Sequence, residues 1–167
     1  DEVIKKLNEE NRKITEEADK LTKALKGESK TQGNWGELIL ERVLEKSGLT
    51  KGREYEVQQS YQDDSGQRFM PDVVINLPND KQMVIDSKVS LTAYERYVNA
   101  DDDKEKVLHL KDHIKSLKTH IKQLSAKNYQ ELGYKQSPDF VLMFIPVEPA
   151  LYLAQSEDQN FYYSAFK

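Results

Sequence analysis

Two short stretches carry the residue types best able to do chemistry: Pro71-Asp72 and, after thirteen intervening residues, Asp86-Ser87-Lys88. The carboxylates border apolar, β-forming residues, Val73 and Val74 in one stretch and Val84 and Ile85 in the other. Between them Pro78-Asn79-Asp80 reads as a tight turn. An antiparallel hairpin folded about Pro78 to Lys81 pairs residues whose numbers sum to about 159, which sets Asp72 opposite residue 86 or 87. Asp86 and Lys88 share a face because side chains alternate along a strand. Two carboxylates and an ammonium then converge beside buried aliphatic residues. Crowded, desolvated carboxylates are unfavourable unless a cation neutralises them, and oxygen ligands alone suit Mg²⁺ or Mn²⁺. Asp72 and Asp86 are therefore the expected metal ligands. Lys88 would orient a metal-activated water or meet charge developing on a phosphate. A structural reading stands beside this one: Asp72 can cap a strand end, and Asp86 can pair with Lys88 or Arg68. Ser87 falls on the opposite face from Asp86, which removes it as a nucleophile candidate.

The elements that must position these residues are legible in outline. A helix is expected from about Trp35 to Lys46, stopped at Ser47-Gly48, with Leu38, Ile39, Val43 and Leu44 as its apolar face. Thr31-Gln32-Gly33-Asn34 reads as a break and fresh cap before it. Strands are expected over Tyr55 to Tyr61, Arg68 to Leu77 and Gln82 to Val89, separated by Asp63-Asp64-Ser65-Gly66 and Pro78-Asn79-Asp80, which makes an antiparallel meander. A long helical stretch runs from Thr92 to Lys127, interrupted near Asp101-Asp102-Asp103. In its second part Val107, Leu110, Ile114, Leu117, Ile121 and Leu124 recur at steps of three and four. The continuous apolar run from Phe140 to Ile145 reads as a fully buried strand, and Glu148-Pro149-Ala150 starts a last helix. Glu148 is read as a helix-start residue rather than a ligand. The fold class is α/β, in the order helix, three strands, helix, buried strand, helix.

Residues 1–30 differ from the rest. They hold no Pro and no aromatic residue, and Ile4, Asn11, Ala18 and Leu25 interleave with Leu7, Ile14 and Leu21 as a and d of a heptad. The division expected is a coiled-coil segment over 1–30 and a folded domain over 31–167. The coil implies a homo-oligomer, with Asn11 at an a position favouring one register.

Between Lys104 and Lys127 seven lysines face only Glu105 and Asp112, a local excess of five positive charges in a chain of net charge -4. On a helix Lys111, Lys115, Lys118 and Lys122 gather on one flank of the apolar stripe, the best candidates for nucleic-acid phosphate contacts. His109, His113 and His120 gather on the other. His109 and His113 have the i, i+4 spacing of metal ligands, but no carboxylate lies at a matching position, so packing or phosphate contact is the expected role.

Motif, hairpin registry and element order together resemble the PD-(D/E)xK nuclease superfamily, whose core is helix, three strands, helix, strand. That resemblance implies a restriction-endonuclease-like core in which a glutamate on the first helix completes the metal site. Glu37, in Gly36-Glu37, is the match and Glu41, one turn on, the alternative; Glu37 could instead simply favour the positive end of its helix. Gly33-Asn34-Trp35-Gly36-Glu37, Ser47-Gly48-Leu49, Pro71-Asp72-Val73-Val74, Val84 to Val89, Ala93 to Tyr97, His120-Ile121-Lys122 and Ser137-Pro138-Asp139 through Ile145-Pro146 are similar to the bacterial RmuC family. This second resemblance spans nearly all of 31–167. It implies DNA recombination proteins with a coiled coil before the nuclease-like domain, a membrane anchor upstream of Asp1, and a domain that continues past Lys167. The aromatic cluster from Phe161 to Lys167, which would need covering, carries the same expectation of further chain.

Composition narrows the classes. With 167 residues and 32% charged residues, and a mean hydropathy of -0.80, the chain holds one ordinary domain and an appendage. No stretch reaches the roughly 18 apolar residues of a membrane span, so no membrane contact is expected within it. Cys is absent, which excludes disulfides and thiolate zinc sites and fits a cytoplasmic location. The leading expectation is a Mg²⁺- or Mn²⁺-dependent DNA nuclease acting in recombination on an oligomerising coil. The alternative is a DNA-binding or scaffolding module that keeps the fold and cuts nothing. The heptad seam predicts concentration-dependent dimers or higher oligomers that weaken when residues 1–30 are removed. Sedimentation of both chains checks this, and monomers throughout would refute it.

Overall fold

A computed structural model describes residues 29–58, 60–62, 66, 68–87, 90–127 and 140–166, together with Lys5, Glu9, Arg12, Glu16 and Lys20. Those five are helical and exposed; they occupy positions outside the expected heptad seam, and the seam residues lie outside the described residues. Two compact units emerge. One comprises Asp1–Gln32, Ser90–Lys118 and Val147–Lys167, the other Gly33–Val89 and Thr119–Pro146.

In the second unit, helix α1 (Ser29–Lys46) contributes its residues from Gly33 onward. The expected break at Thr31 to Asn34 is corrected: the helix runs straight through it. Cap-type residues offer only a local alternative to helical hydrogen bonding, and the buried Gln32 side chain sits in the continuous helix. The helix stops where expected. Gly48 takes a φ of +86, its N–H bonds Glu45 O at 3.0 Å and the Leu49 N–H bonds Leu44 O at 3.1 Å, the paired bonds of a Schellman motif that needs a left-handed residue.

The mixed sheet has the order β1 (Tyr55–Val57), β4 (Val73–Leu77), β5 (Lys81–Asp86), β6 (Leu142–Met143). β1, β4 and β5 are antiparallel neighbours, as the meander required, and β6 joins β5 in parallel. The first two expected strands are each cut in two. β2 (Tyr61–Gln62) and β3 (Arg68–Phe69) separate from β1 and β4 and pair with one another. The first cut falls at Gln58, whose φ of 50 turns the chain out of the extended conformation.

Val73, Ile75 and Ile85 pack with Leu40, Leu44 and Tyr55 on one face. Val74 and Val84 pack with Leu124 on the other. Two-sided burial is why β4 and β5 read as unbroken apolar runs. The expectation of a fully buried strand over Phe140 to Ile145 is corrected. Only Leu142 and Met143 pair, at the sheet edge, and Phe140 and Leu142 are exposed. An edge strand has one neighbour, so an apolar run there need not be enclosed.

In the first unit lie α2 (Thr92–Asn99), α3 (Asp103–Ala126) as far as Lys118, α4 (Glu148–Glu157) and α5 (Phe161–Ala165). The interruption near Asp101 to Asp103 and the helix starting at Glu148 are both found. Of the expected α3 stripe, Leu117 and Leu124 are buried while Val107 is exposed. Among the described residues no helix is long and apolar enough to cross a membrane.

His113 on α3 is fully buried, donates from Nε2 to the Ala150 carbonyl at 2.8 Å, and lies 5.5 Å from the Tyr94 ring. This bond ties its Nε2 to the start of α4, while its Nδ1 is buried and finds no hydrogen-bond partner among the described residues. Burial lowers its imidazole below the ordinary value of 6.5, against the opposing pull of the Ala150 carbonyl. The folded chain therefore keeps His113 neutral, while the unfolded chain takes up a proton as pH falls through about 6.5. Its contribution to stability is present above that pH and is lost as pH drops toward the folded value. The thermal midpoint should fall between pH 7.5 and 5.5, and His113→Gln should flatten that fall while lowering the midpoint at pH 7.5. Circular dichroism melts across pH check both.

Candidate functional site

The hairpin that positions the site closes through Pro78, Asn79 and Asp80, between the pair Leu77 and Lys81. Asn79 and Asp80 have φ of 64 and 58, left-handed values that these two residue types tolerate well. Val73 pairs with Ile85, so the register carries Asp72 to the level of Asp86, one of the two positions the sequence allowed.

The two aspartates are nearly excluded from solvent, Asp72 at 4% and Asp86 at 1% exposure. Asp72 Oδ2 accepts the Ser87 backbone N–H at 2.6 Å and the Ser87 hydroxyl at 2.9 Å. Ser87 is thus a holder of Asp72. Asp86 closes β5, and its carbonyl accepts the Phe144 N–H at 3.0 Å. Its Oδ2 accepts from Lys127 Nζ at 3.0 Å, and its Oδ1 lies 3.6 Å from His120 Nε2.

Glu37 stands on α1, half-buried, and its Oε2 accepts from Gln58 Nε2 at 2.8 Å. The Gln58 backbone N–H bonds the Asp72 carbonyl at 3.0 Å, so one residue spans from Glu37 to the Asp72 backbone. Gly36 lies close by: a Cβ there would stand 3.5 Å from the Pro146 ring and 3.8 Å from the Ser87 carbonyl, ordinary contacts that an alanine would also make. Glu41, the alternative to Glu37, is ion-paired to Lys51 at 2.8 Å, and that bond holds the Lys51 ammonium above its usual value. Lys88 lies outside the described residues.

Among the described residues no three His, Asp or Glu side chains converge to hold an ion. The register brings Asp72 and Asp86 level, and the Gln58 bonds tie Glu37 to the Asp72 backbone. Three imidazole nitrogens on α3 are buried without a hydrogen-bond partner among the described residues: His109 Nδ1, His113 Nδ1 and His120 Nε2. The Nε2 of His120 is buried, has no hydrogen-bond partner among the described residues, and faces Asp86. Of the expected phosphate contacts, Lys111, Lys115 and Lys122 are exposed, while Lys118 is ion-paired to Asp158. That ammonium, followed by the Asn160 N–H, holds the Asp158 carboxyl below its usual range.

Gln58, His120 and Lys127 were missed as site residues. A weak signal existed for two of them: His120 and Lys127 are two helical turns apart and so share one helix face.

Ser87→Ala removes the hydroxyl bond to a buried carboxylate and should cost about 1.5–3 kcal/mol, the usual worth of a hydrogen bond to a charged group. The backbone N–H bond survives, so the fold should persist. Urea unfolding measures the difference.

The RmuC family model matches residues 1–167. The chain is 53% identical over 163 residues to the DNA recombination protein RmuC homolog of Pseudomonas aeruginosa, covering 98% of this chain and 36% of that protein. It is 49% identical over 164 residues to the DNA recombination protein RmuC of Escherichia coli K12, covering 98% and 34%. With the Vibrio cholerae homolog it shares 49% identity over 157 residues, covering 94% and 31%. The chain thus spans about a third of the length of these relatives. No solved structure matches it. A family model that matches from end to end, and relatives about half identical along nearly all of its length, place the chain in the RmuC family.

Proposed function

We propose that residues 31–167 belong to a restriction-endonuclease-like core, a divalent-metal-dependent phosphodiesterase acting on DNA in recombination, carried on an oligomerising coiled coil over 1–30. The relatives' names support the recombination role. The observation that carries the chemistry is the hairpin register, which brings Asp72 and Asp86 level at one end of β4 and β5 while both are almost fully buried. A Mg²⁺ or Mn²⁺ ion bound there would act as a Lewis acid and lower the pKa of a bound water. Asp72 and Asp86 supply the negative charge that such an ion requires, and Ser87 fixes the orientation of Asp72. Glu37, steadied by Gln58, stands as a further acidic group. Lys88 meets charge developing on a phosphate. The exposed Lys111, Lys115 and Lys122 attract the nucleic-acid backbone; Lys118 contributes only by leaving Asp158.

The Lys127–Asp86 bond favours a second reading, a DNA-binding or scaffolding module that does not cut, because an ammonium already offsets the charge of Asp86. One experiment separates the two in the full-length protein. Asp72→Asn and Asp86→Asn should each weaken Mn²⁺ binding and abolish DNA cleavage together. Lys88→Met should leave metal binding intact or stronger, since a competing positive charge is removed, and should still abolish cleavage. Mn²⁺ titration beside a nuclease assay reads both. Binding indifferent to both aspartate changes refutes the site, and metal binding without cleavage in the wild type establishes the non-cleaving module.

A further inference from the structure

We infer that His120 and Asp86 together ligate the divalent cation, with His120 taking the position that the motif suggested for Glu37. This rests on the metal-dependent reading above and deepens it. Burying an imidazole nitrogen without a hydrogen bond is costly, and a buried polar atom left without a partner calls for an explanation. His120 Nε2 is in that state, as are His109 Nδ1 and His113 Nδ1, but it is His120 that stands beside a carboxylate, with its side chain largely enclosed by protein. The nearest carboxylate oxygen, Asp86 Oδ1, is 3.6 Å away, too far for a hydrogen bond. Two donors that share a cation through bonds of about 2.1 Å stand roughly 3.0–3.5 Å apart, so a small side-chain movement suffices. Lys127 engages the other oxygen, Oδ2, and Oδ1 is the one that lies 3.6 Å from the imidazole. Glu37 is meanwhile held by Gln58.

Two consequences follow from the ligand types. A nitrogen donor suits Mn²⁺ better than Mg²⁺, which prefers oxygen and water. The Lys127 ammonium beside the same carboxylate opposes a second positive charge and weakens cation binding.

The test is Mn²⁺ titration and pulsed electron paramagnetic resonance of the Mn²⁺-loaded full-length protein. The wild type should bind Mn²⁺ more tightly than Mg²⁺ and show a coupling to a ¹⁴N nucleus. His120→Gln should erase the coupling and weaken Mn²⁺ binding at least tenfold, while His109→Gln, on the same helix flank, should leave the coupling. Lys127→Met should strengthen binding. The wild-type spectrum decides even if a variant fails to fold. Mn²⁺ binding that depends on Asp86 but shows no nitrogen coupling overturns the inference and leaves the metal-dependent reading standing. Nitrogen-coupled Mn²⁺ without DNA cleavage supports the inference and overturns the phosphodiesterase reading. No Mn²⁺ binding at all overturns both.

Discussion

The pairing of β4 with β5 is the constraint from which the rest of the sheet unit takes its form. A slip of one residue would send Val73, Ile75 and Ile85 to the opposite face and exchange them with Val74 and Val84. Both faces are apolar and covered, so hydrophobicity alone discriminates weakly between the two registers. The three-residue turn does more, because Asn79 and Asp80 accept the left-handed conformation that closes it. Polar residues then add their own vote. Only the observed register sets Ser87 where its N–H and hydroxyl reach Asp72.

Two carboxylates at the end of this hairpin would ordinarily be an electrostatic liability. The fold answers each from a different direction. Asp72 is served from the neighbouring strand, by donors that carry no net charge. Asp86 is served by the imidazole of His120 on α3 and by the ammonium of Lys127, one residue past its end, which approach its two oxygens separately. Lys127, in the turn that follows Ala126, reaches a carboxylate that His120, about 10 Å nearer the start of the helix, also approaches. A neutral holder and a charged one are chemically different. The first fixes the orientation of a carboxylate, and the second also sets how strongly that carboxylate attracts any further cation.

Much of this was legible in the sequence because it depends on local pattern. The α3 periodicity, the stop at Gly48, the β4–β5 turn and the level of Asp72 with Asp86 all follow from residues within one or two elements. The misreadings share a cause. Thr31 to Asn34 has the chemistry of a cap, but continuing the helix satisfied the same backbone groups. Phe140 to Ile145 has the hydrophobicity of a central strand, but its place in the sheet order is a tertiary fact. His120 and Lys127 lie 34 and 41 positions from Asp86, on a helix and just past its end, and the face that helix turns to the sheet cannot be fixed without the fold. Gln58 carried no signal, since a lone glutamine after a strand predicts neither its backbone conformation nor its bond to Glu37.

Gln58 also narrows what can occupy its own position. Its φ of 50 is a conformation that non-glycine residues adopt at a cost of about 1–3 kcal/mol, and that glycine or asparagine would adopt more readily. Glycine would relieve the backbone but has no amide to reach Glu37. Asparagine would keep the amide on a side chain one carbon shorter. A β-branched residue would suit the strand it follows and clash with the turn. The residue therefore answers two demands that conflict within a single side chain, and the strain it retains marks how tightly β1, α1 and the Asp72 backbone are made to agree at one point.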